Sequence, residues 1–119
     1  MSYCRFIEAD AYIFGTTIPD VGDVLECCGC RLSADGEPAF AYFTTEDAML
    51  AHIAEHREAG HFIPSDVDAR LISERDGTPY TYVMPSDEQA TIRARYAEAM
   101  TPYLDDFDRE AILDILSER

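Results

Sequence analysis

Three observations predict an α+β fold made of a small irregular β-sheet, a knuckle-plus-helix unit and C-terminal helices. Short aromatic and β-branched runs, punctuated by Pro and Gly, fill the chain up to Phe43. A helical apolar rhythm with capping signals takes over from Thr44 onward. Between them, Cys27-Cys28-Gly29-Cys30 makes a thiol-bearing turn that neither a plain sheet nor a helix bundle explains. At 119 residues and 47% hydrophobic, the chain has single-domain length and enough apolar side chains for a core. Residues 1–76 read as the α+β core, and residues 77–119 as a helical extension packed on the same domain.

The opening run Tyr3-Cys4-Arg5-Phe6-Ile7 and the run Asp10 to Phe14 read as strands. Thr16 to Gly22 reads as a loop because of Pro19 and Gly22. Val24 to Cys27 is a strand feeding the knuckle. Ser33 to Pro38 is a polar loop with a hairpin signal at Asp35-Gly36, and Ala39 to Phe43 returns as a strand. Residues 45–59 form the clearest helix, with Thr44 as its cap, acids in its first turn and Gly60 at its end.

Ser65 starts a shorter helix marked by Val67, Leu71 and Ile72, which stops near Asp76-Gly77. Thr78 to Met84 alternates weakly and reads as one more strand. Ser86 with Gln89 is a capping box, followed by Ile92, Tyr96, Ala99, Met100 and Tyr103 at helical spacing. Pro102 ends or kinks that helix. Phe107, Ala111, Ile112, Ile115 and Leu116 make a last stripe, and both stripes read as core contacts.

Charge narrows the function. The chain holds 24 acids against 9 bases, a net charge of −15, and every base is Arg. Direct nucleic-acid binding needs a cationic footprint and is excluded on this balance. Anionic lipid is disfavoured for the same reason. No stretch approaches the ~18 apolar residues of a membrane span, and the opening lacks a secretory-signal pattern, so a cytoplasmic protein is expected. An acidic surface favours basic partners.

Cysteine and histidine carry the chemistry. Cys27 and Cys30 form a C-x2-C pair around Gly29. His52 and His56 are four apart on the predicted helix and share a face. The inward stripe of that helix is Met49, His52, Ile53 and His56, so both imidazoles fall on the apolar side. An imidazole there is costly unless something satisfies it, and a metal ion does so. Cys27, Cys30, His52 and His56 are the predicted ligands. Cys28 and Cys4 stand as substitutes for either thiolate, and His61, just past Gly60, as a spare or supporting residue. A Cys27/Cys30 redox pair and a metal-free core are the other readings of the same residues.

The spacing Cys27-x2-Cys30-x12-Phe43-x5-Met49-x2-His52-x3-His56 resembles the two-Cys two-His zinc finger, in which a hairpin knuckle and a helix supply the ligands. The stretch from Cys30 to Phe43 is longer than in that family. The resemblance implies a closed, structural Zn2+ site, with Phe43 and Met49 packing beneath it. His52-Ile53-Ala54-Glu55-His56 also matches H-x-x-E-H, in which the Glu activates a metal-bound water. Cysteines filling the coordination sphere leave that water no place.

The opening Met1-Ser2-Tyr3-Cys4-Arg5-Phe6, the knuckle and the run from Met49 to His61, followed by Ile63-Pro64, together resemble a group of small actinobacteriophage proteins. This resemblance covers roughly residues 1–75 and implies a phage protein working in the cytoplasm of a bacterial host. The expected function is therefore a non-enzymatic accessory protein, with a structural zinc site and an acidic surface that engages a host protein. The alternatives are an acidic mimic of DNA and, less favoured, an H-x-x-E-H hydrolase.

Overall fold

The computed structural model describes residues 2–32, 39–101 and 114. Its strands β1 (Ser2–Cys4), β2 (Tyr12–Ile18), β3 (Gly22–Cys30) and β4 (Ala39–Phe43) form one antiparallel sheet in the order β1-β2-β3-β4. Helices α1 (Glu46–Glu58), α2 (Ser65–Asp76) and α3 (Ser86–Met100) follow. This is the expected α+β class. The chain divides into two units, Met1–Val83 and Met84–Arg119, with the sheet, α1 and α2 in the first and α3 in the second. The Asp35-Gly36 turn, the Pro102 helix end, Tyr103 and the stripe from Phe107 to Leu116 lie outside the described residues. No helix among the described residues is long and apolar enough to cross a membrane.

The sheet differs from its sequence reading in ways that local hydrogen bonds explain. Strand β1 stops at Cys4 rather than Ile7, because the chain turns at once. The Glu8 carboxylate accepts from the Arg5 N–H at 2.9 Å, and the Ala9 N–H reaches the Arg5 carbonyl at 3.0 Å. The expected loop from Thr16 to Gly22 shrinks to a turn at Pro19, Asp20 and Val21. β-Branched Thr16, Thr17 and Ile18 extend β2 instead, and the Thr17 hydroxyl donates across the hairpin to Asp23 at 2.7 Å. The weak strand expected from Thr78 to Met84 is not formed; this segment runs without ladder partners, and Pro79 offers no donor.

The helices keep their positions and change their caps. Thr45, not Thr44, caps α1: its backbone is extended and its side chain accepts from the Ala48 N–H at 3.1 Å. Helix α2 ends at Gly77 as expected; Val67 and Leu71 are buried, but Ile72 is largely exposed. The Ser86/Gln89 box does not form. Ser86 is already helical behind Pro85, and the Gln89 amide donates to the Met84 carbonyl at 2.8 Å. None of the α3 side chains is fully buried; Ile92, Tyr96 and Ala99 of its stripe are half-buried.

One face of the sheet carries the core of the first unit. Strand alternation points Ile13, Leu25, Cys27 and Ala41 to that face, where they meet Met49, Ile53, Ile63, Val67 and Leu71. Helix α1 packs on β4 and α2, and α2 packs on β1. Long-range polar contacts hold the first strand down. The Tyr3 hydroxyl donates to Glu74, the Arg70 guanidinium lies 4.8 Å over the Tyr3 ring, and it also donates to the Ser2 carbonyl at 3.1 Å. Arg57 ties α1 to α2, donating to both oxygens of Asp68 at 2.9 and 2.7 Å and to the Ile63 carbonyl at 2.9 Å.

Candidate metal centre

Two elements build the centre. On α1 the fully or nearly buried residues are Met49, His52, Ile53 and His56, the stripe read from the sequence. That helix face brings both imidazoles over the sheet. The thiols come from β3, and the geometry there differs from expectation. The sequence reads Cys27 to Cys30 as a turn after a strand. In the structure β3 continues through Cys30, and Cys27 pairs with Ala41 while Cys30 pairs with Ala39. Three residue steps on β3 oppose two on β4, so one extra residue is bulged out, with Gly29 at φ 62°.

The bulge decides which way the thiols face. In a regular strand, residues three apart point to opposite faces. One extra residue restores the alternation, and both Cys27 and Cys30 turn inward, 0% and 5% exposed. Cys28 is left on the outer face, half-exposed. Cys4 is buried, but its thiol donates to the Ala11 carbonyl at 3.3 Å, and burial pushes its pKa up to about 12. Neither substitute thiol joins the cluster.

The four remaining donors converge. Cys27 Sγ, Cys30 Sγ and one ring nitrogen from each of His52 and His56 lie within 4.8 Å of one another, all on buried residues. The two Nε2 atoms are 3.1 Å apart. Cys30 Sγ lies 3.4 Å from His52 Nε2 and 3.6 Å from His56 Nε2, and Cys27 Sγ lies 3.5 Å from His56 Nε2. A tetrahedral ion with metal–sulfur bonds of ~2.3 Å and metal–nitrogen bonds of ~2.05 Å requires edges of ~3.3 Å between nitrogens and ~3.6 Å between nitrogen and sulfur. These four edges lie close to those lengths. Hydrogen bonding alone cannot account for this, because a neutral imidazole has one N–H and His56 Nε2 faces three neighbours at once. The four side chains are positioned to hold a metal ion.

The outer nitrogens of the imidazoles are also engaged. Helix α1 ends in a Schellman turn, with the Gly60 N–H bonded to the Arg57 carbonyl and the His61 N–H to the His56 carbonyl at 2.9 Å. Gly60 takes φ 89°, which glycine adopts at low cost. That turn folds His61 back onto the helix and places its Nδ1 2.8 Å from His56 Nδ1. His61 thus lies outside the four converging donors, against the outer nitrogen of His56. A proton on His56 Nδ1, donated to His61, leaves the Nε2 lone pair free to face an ion. His61→Ala is expected to weaken metal affinity by roughly 10–100-fold while leaving one ion per chain at saturation, measured by competition with a chelating dye. An unchanged affinity would show that His61 does not orient the ligand.

On His52 the outer nitrogen faces acid: Nδ1 lies 3.7 Å from a Glu55 carboxylate oxygen. Glu55 is 68% exposed and sits on the opposite edge of the imidazole from the converging donors. The Phe43 ring covers the other side, 4.8 Å from the His52 ring. Burial is the main influence on these groups. It holds His52 below the ordinary histidine range against the opposing pull of Glu55. It lowers His56 to about 4, helped by His52 and His61. Burial first, and Cys30 next, pushes the Cys27 thiol up.

The sequence located all four converging residues and named His61 as a spare. It missed the bulge, whose signal was the odd spacing of two inward cysteines around a glycine. Compared with protein-family models, with curated proteins and with solved structures, the chain finds no match.

Proposed function

We propose that Cys27, Cys30, His52 and His56 hold a structural Zn2+ that fastens β3 to α1, in a non-enzymatic protein whose acidic surface engages a basic partner protein. The convergence of four buried donors at tetrahedral edge lengths carries this reading. Two thiolates and two imidazoles select zinc over hard cations, which prefer oxygen. Glu55 lies on the Nδ1 side of His52, away from the converging donors, which favours a structural site over the H-x-x-E-H hydrolase.

The acidic surface supports the second half of the proposal. On the first unit, Arg57 pairs with Asp68, Arg75 with Asp47 and Asp76, and Arg70 lies on Tyr3. Exposed Glu55 and Glu58 on α1 then face solvent in a chain of net charge −15. The setting we infer from the resemblance of the opening and the Cys-His run is a phage-infected bacterium, with a host protein as the partner. A mimic of DNA is the second reading and rests on the same charge; it requires the partner to lose nucleic acid when the protein binds.

Protein purified without chelator is expected to carry about one zinc per chain by elemental analysis, and Cys30→Ser far less. A wild-type content below about half an equivalent would sink the zinc reading. The donors also set a pH signature. Burial raises the Cys27 thiol, so in the metal-free site it keeps its proton at neutral pH, whereas burial keeps His56 neutral down to about 4. Thiolate ligation releases that proton, so zinc affinity falls at least about tenfold for each pH unit lost near neutrality. The sign for His56 runs the same way. Its folded pKa of about 4 lies below the free value of 6.5, so its contribution is present above 6.5 and lost as pH falls toward 4. Chelator competition between pH 6.5 and 8 checks the slope; a flat profile would contradict thiolate ligation.

A further inference from the structure

The outer face of the sheet carries a second constellation, separate from the metal donors. Alternation turns Tyr12 and Phe14 of β2, Glu26 of β3 and Tyr42 of β4 to that side. In register, Phe14 pairs with Glu26 on one flank and Tyr42 pairs with Glu26 on the other. The Tyr12 and Phe14 rings meet edge-on with centroids 5.3 Å apart. Tyr42 is 52% exposed, whereas Glu26 between the aromatic strands is only 7% exposed.

A carboxylate so placed is unusual, because withdrawing it from water is costly without a cation or a full set of donors. Its cross-strand neighbours in register, Phe14 and Tyr42, are both neutral. Among the described residues no arginine forms an ion pair with Glu26; the nearby Arg31 guanidinium lies 5.4 Å over the Phe6 ring instead. Aromatic faces beside an uncompensated carboxylate attract an organic cation, through ring quadrupoles and through charge.

We propose that Phe14, Glu26 and Tyr42 form a receptor for an arginine side chain presented by the partner protein. This rests on the reading that the acidic surface meets a basic partner, and it locates where that partner anchors. Arginine fits better than lysine because its planar guanidinium stacks on a ring while its fork donates to both carboxylate oxygens. The rest of the acidic surface then steers the approach, and this cluster fixes the register.

Two short peptides test it, acetyl-Gly-Gly-Arg-Gly-Gly-amide and its citrulline counterpart, titrated into the zinc-loaded protein by NMR. The arginine peptide is expected to shift the ring signals of Phe14 and Tyr42 saturably, with the citrulline peptide at least tenfold weaker. Glu26→Gln should weaken the arginine peptide at least fivefold, and so should Tyr42→Leu, which alters an exposed ring and spares the core. Val83→Ala, at an exposed and uncharged residue outside the acidic surface, should leave it unchanged. Equal binding of the two peptides, or wild-type affinity in Tyr42→Leu or in a folded Glu26→Gln, overturns the proposal. Nona-arginine provides the separating arm. If it binds wild type and Glu26→Gln alike, the acidic-surface reading stands and the Glu26 receptor falls; if it binds neither, both fall. Zinc content measured on the same samples reports independently on the metal reading.

Discussion

Chelation of the zinc-loaded protein is expected to abolish the cooperative unfolding transition of the Met1–Val83 unit at 25 °C. Structural zinc contributes on the order of 10–16 kcal/mol of apparent folding free energy, against about 5–15 kcal/mol for the whole stability of a typical domain. The apolar core here is small, with Ile13, Met49, Ile53, Val67 and Leu71 as its largest fully buried aliphatic side chains. Without the ion, the same core must bury two imidazoles and two thiols. Their desolvation is then offset only by contacts among themselves, and His56 Nε2 cannot satisfy three neighbours. His56→Ala should reproduce the effect of chelator, because it removes a ligand and leaves a cavity at a residue with 0% exposure. Tyrosine near-ultraviolet dichroism and amide chemical-shift dispersion read the loss, and added zinc should restore both in wild type alone. A chelated protein that melts within about 5 °C of the loaded one would show that the apolar core suffices.

The second large effect is expected at Gly29. Its φ of 62° lies where a β-branched residue is a genuine outlier, and holding one there costs about 1–3 kcal/mol. Space is not the obstacle, since an added Cβ would meet the Phe6 ring at an ordinary 3.5 Å. The penalty falls on the backbone turn that aims the two thiols. Gly29→Val should therefore reduce zinc affinity by roughly 5- to 150-fold, the equivalent of that strain. Gly29→Ala should fall between, and Gly29→Asn should lose least, because asparagine tolerates the left-handed region. Chelator competition on the four proteins gives the order. Equal affinities across the series would mean that the bulge does not aim the thiols.

The helix face was legible in the sequence because four residues at positions i, i+3, i+4 and i+7 report one side of a cylinder whatever its neighbours are. His52 and His56 could be paired on that basis. The thiols were harder. Adjacent Cys27 and Cys28 are equivalent as a string, and only the pairing of β3 with β2 and β4 shows that one faces in and the other out. Thr44 and Thr45 pose the same difficulty for the cap, since both side chains suit the role and backbone geometry selects the second. Pro19 and Gly22 signalled a turn correctly but not its length, which cross-strand pairing set. Glu26 read as one acid among many. Its burial follows from strand register, which no local pattern encodes.

The clamp on the first strand bears on the order in which the chain folds as it is synthesised. The metal donors and their supporting histidine are all present once His61 has emerged, and β2, β3, β4 and α1 are contiguous neighbours. Strand β1 pairs early with β2, but its partners on α2 arrive later: Arg70 and Glu74 reach Ser2 and Tyr3 across 68 and 71 residues. If the proposed ion binds, a nascent chain could load it while the contacts of α2 with Ser2 and Tyr3 are still to form, and the tyrosine–glutamate contact would then close last in vectorial folding.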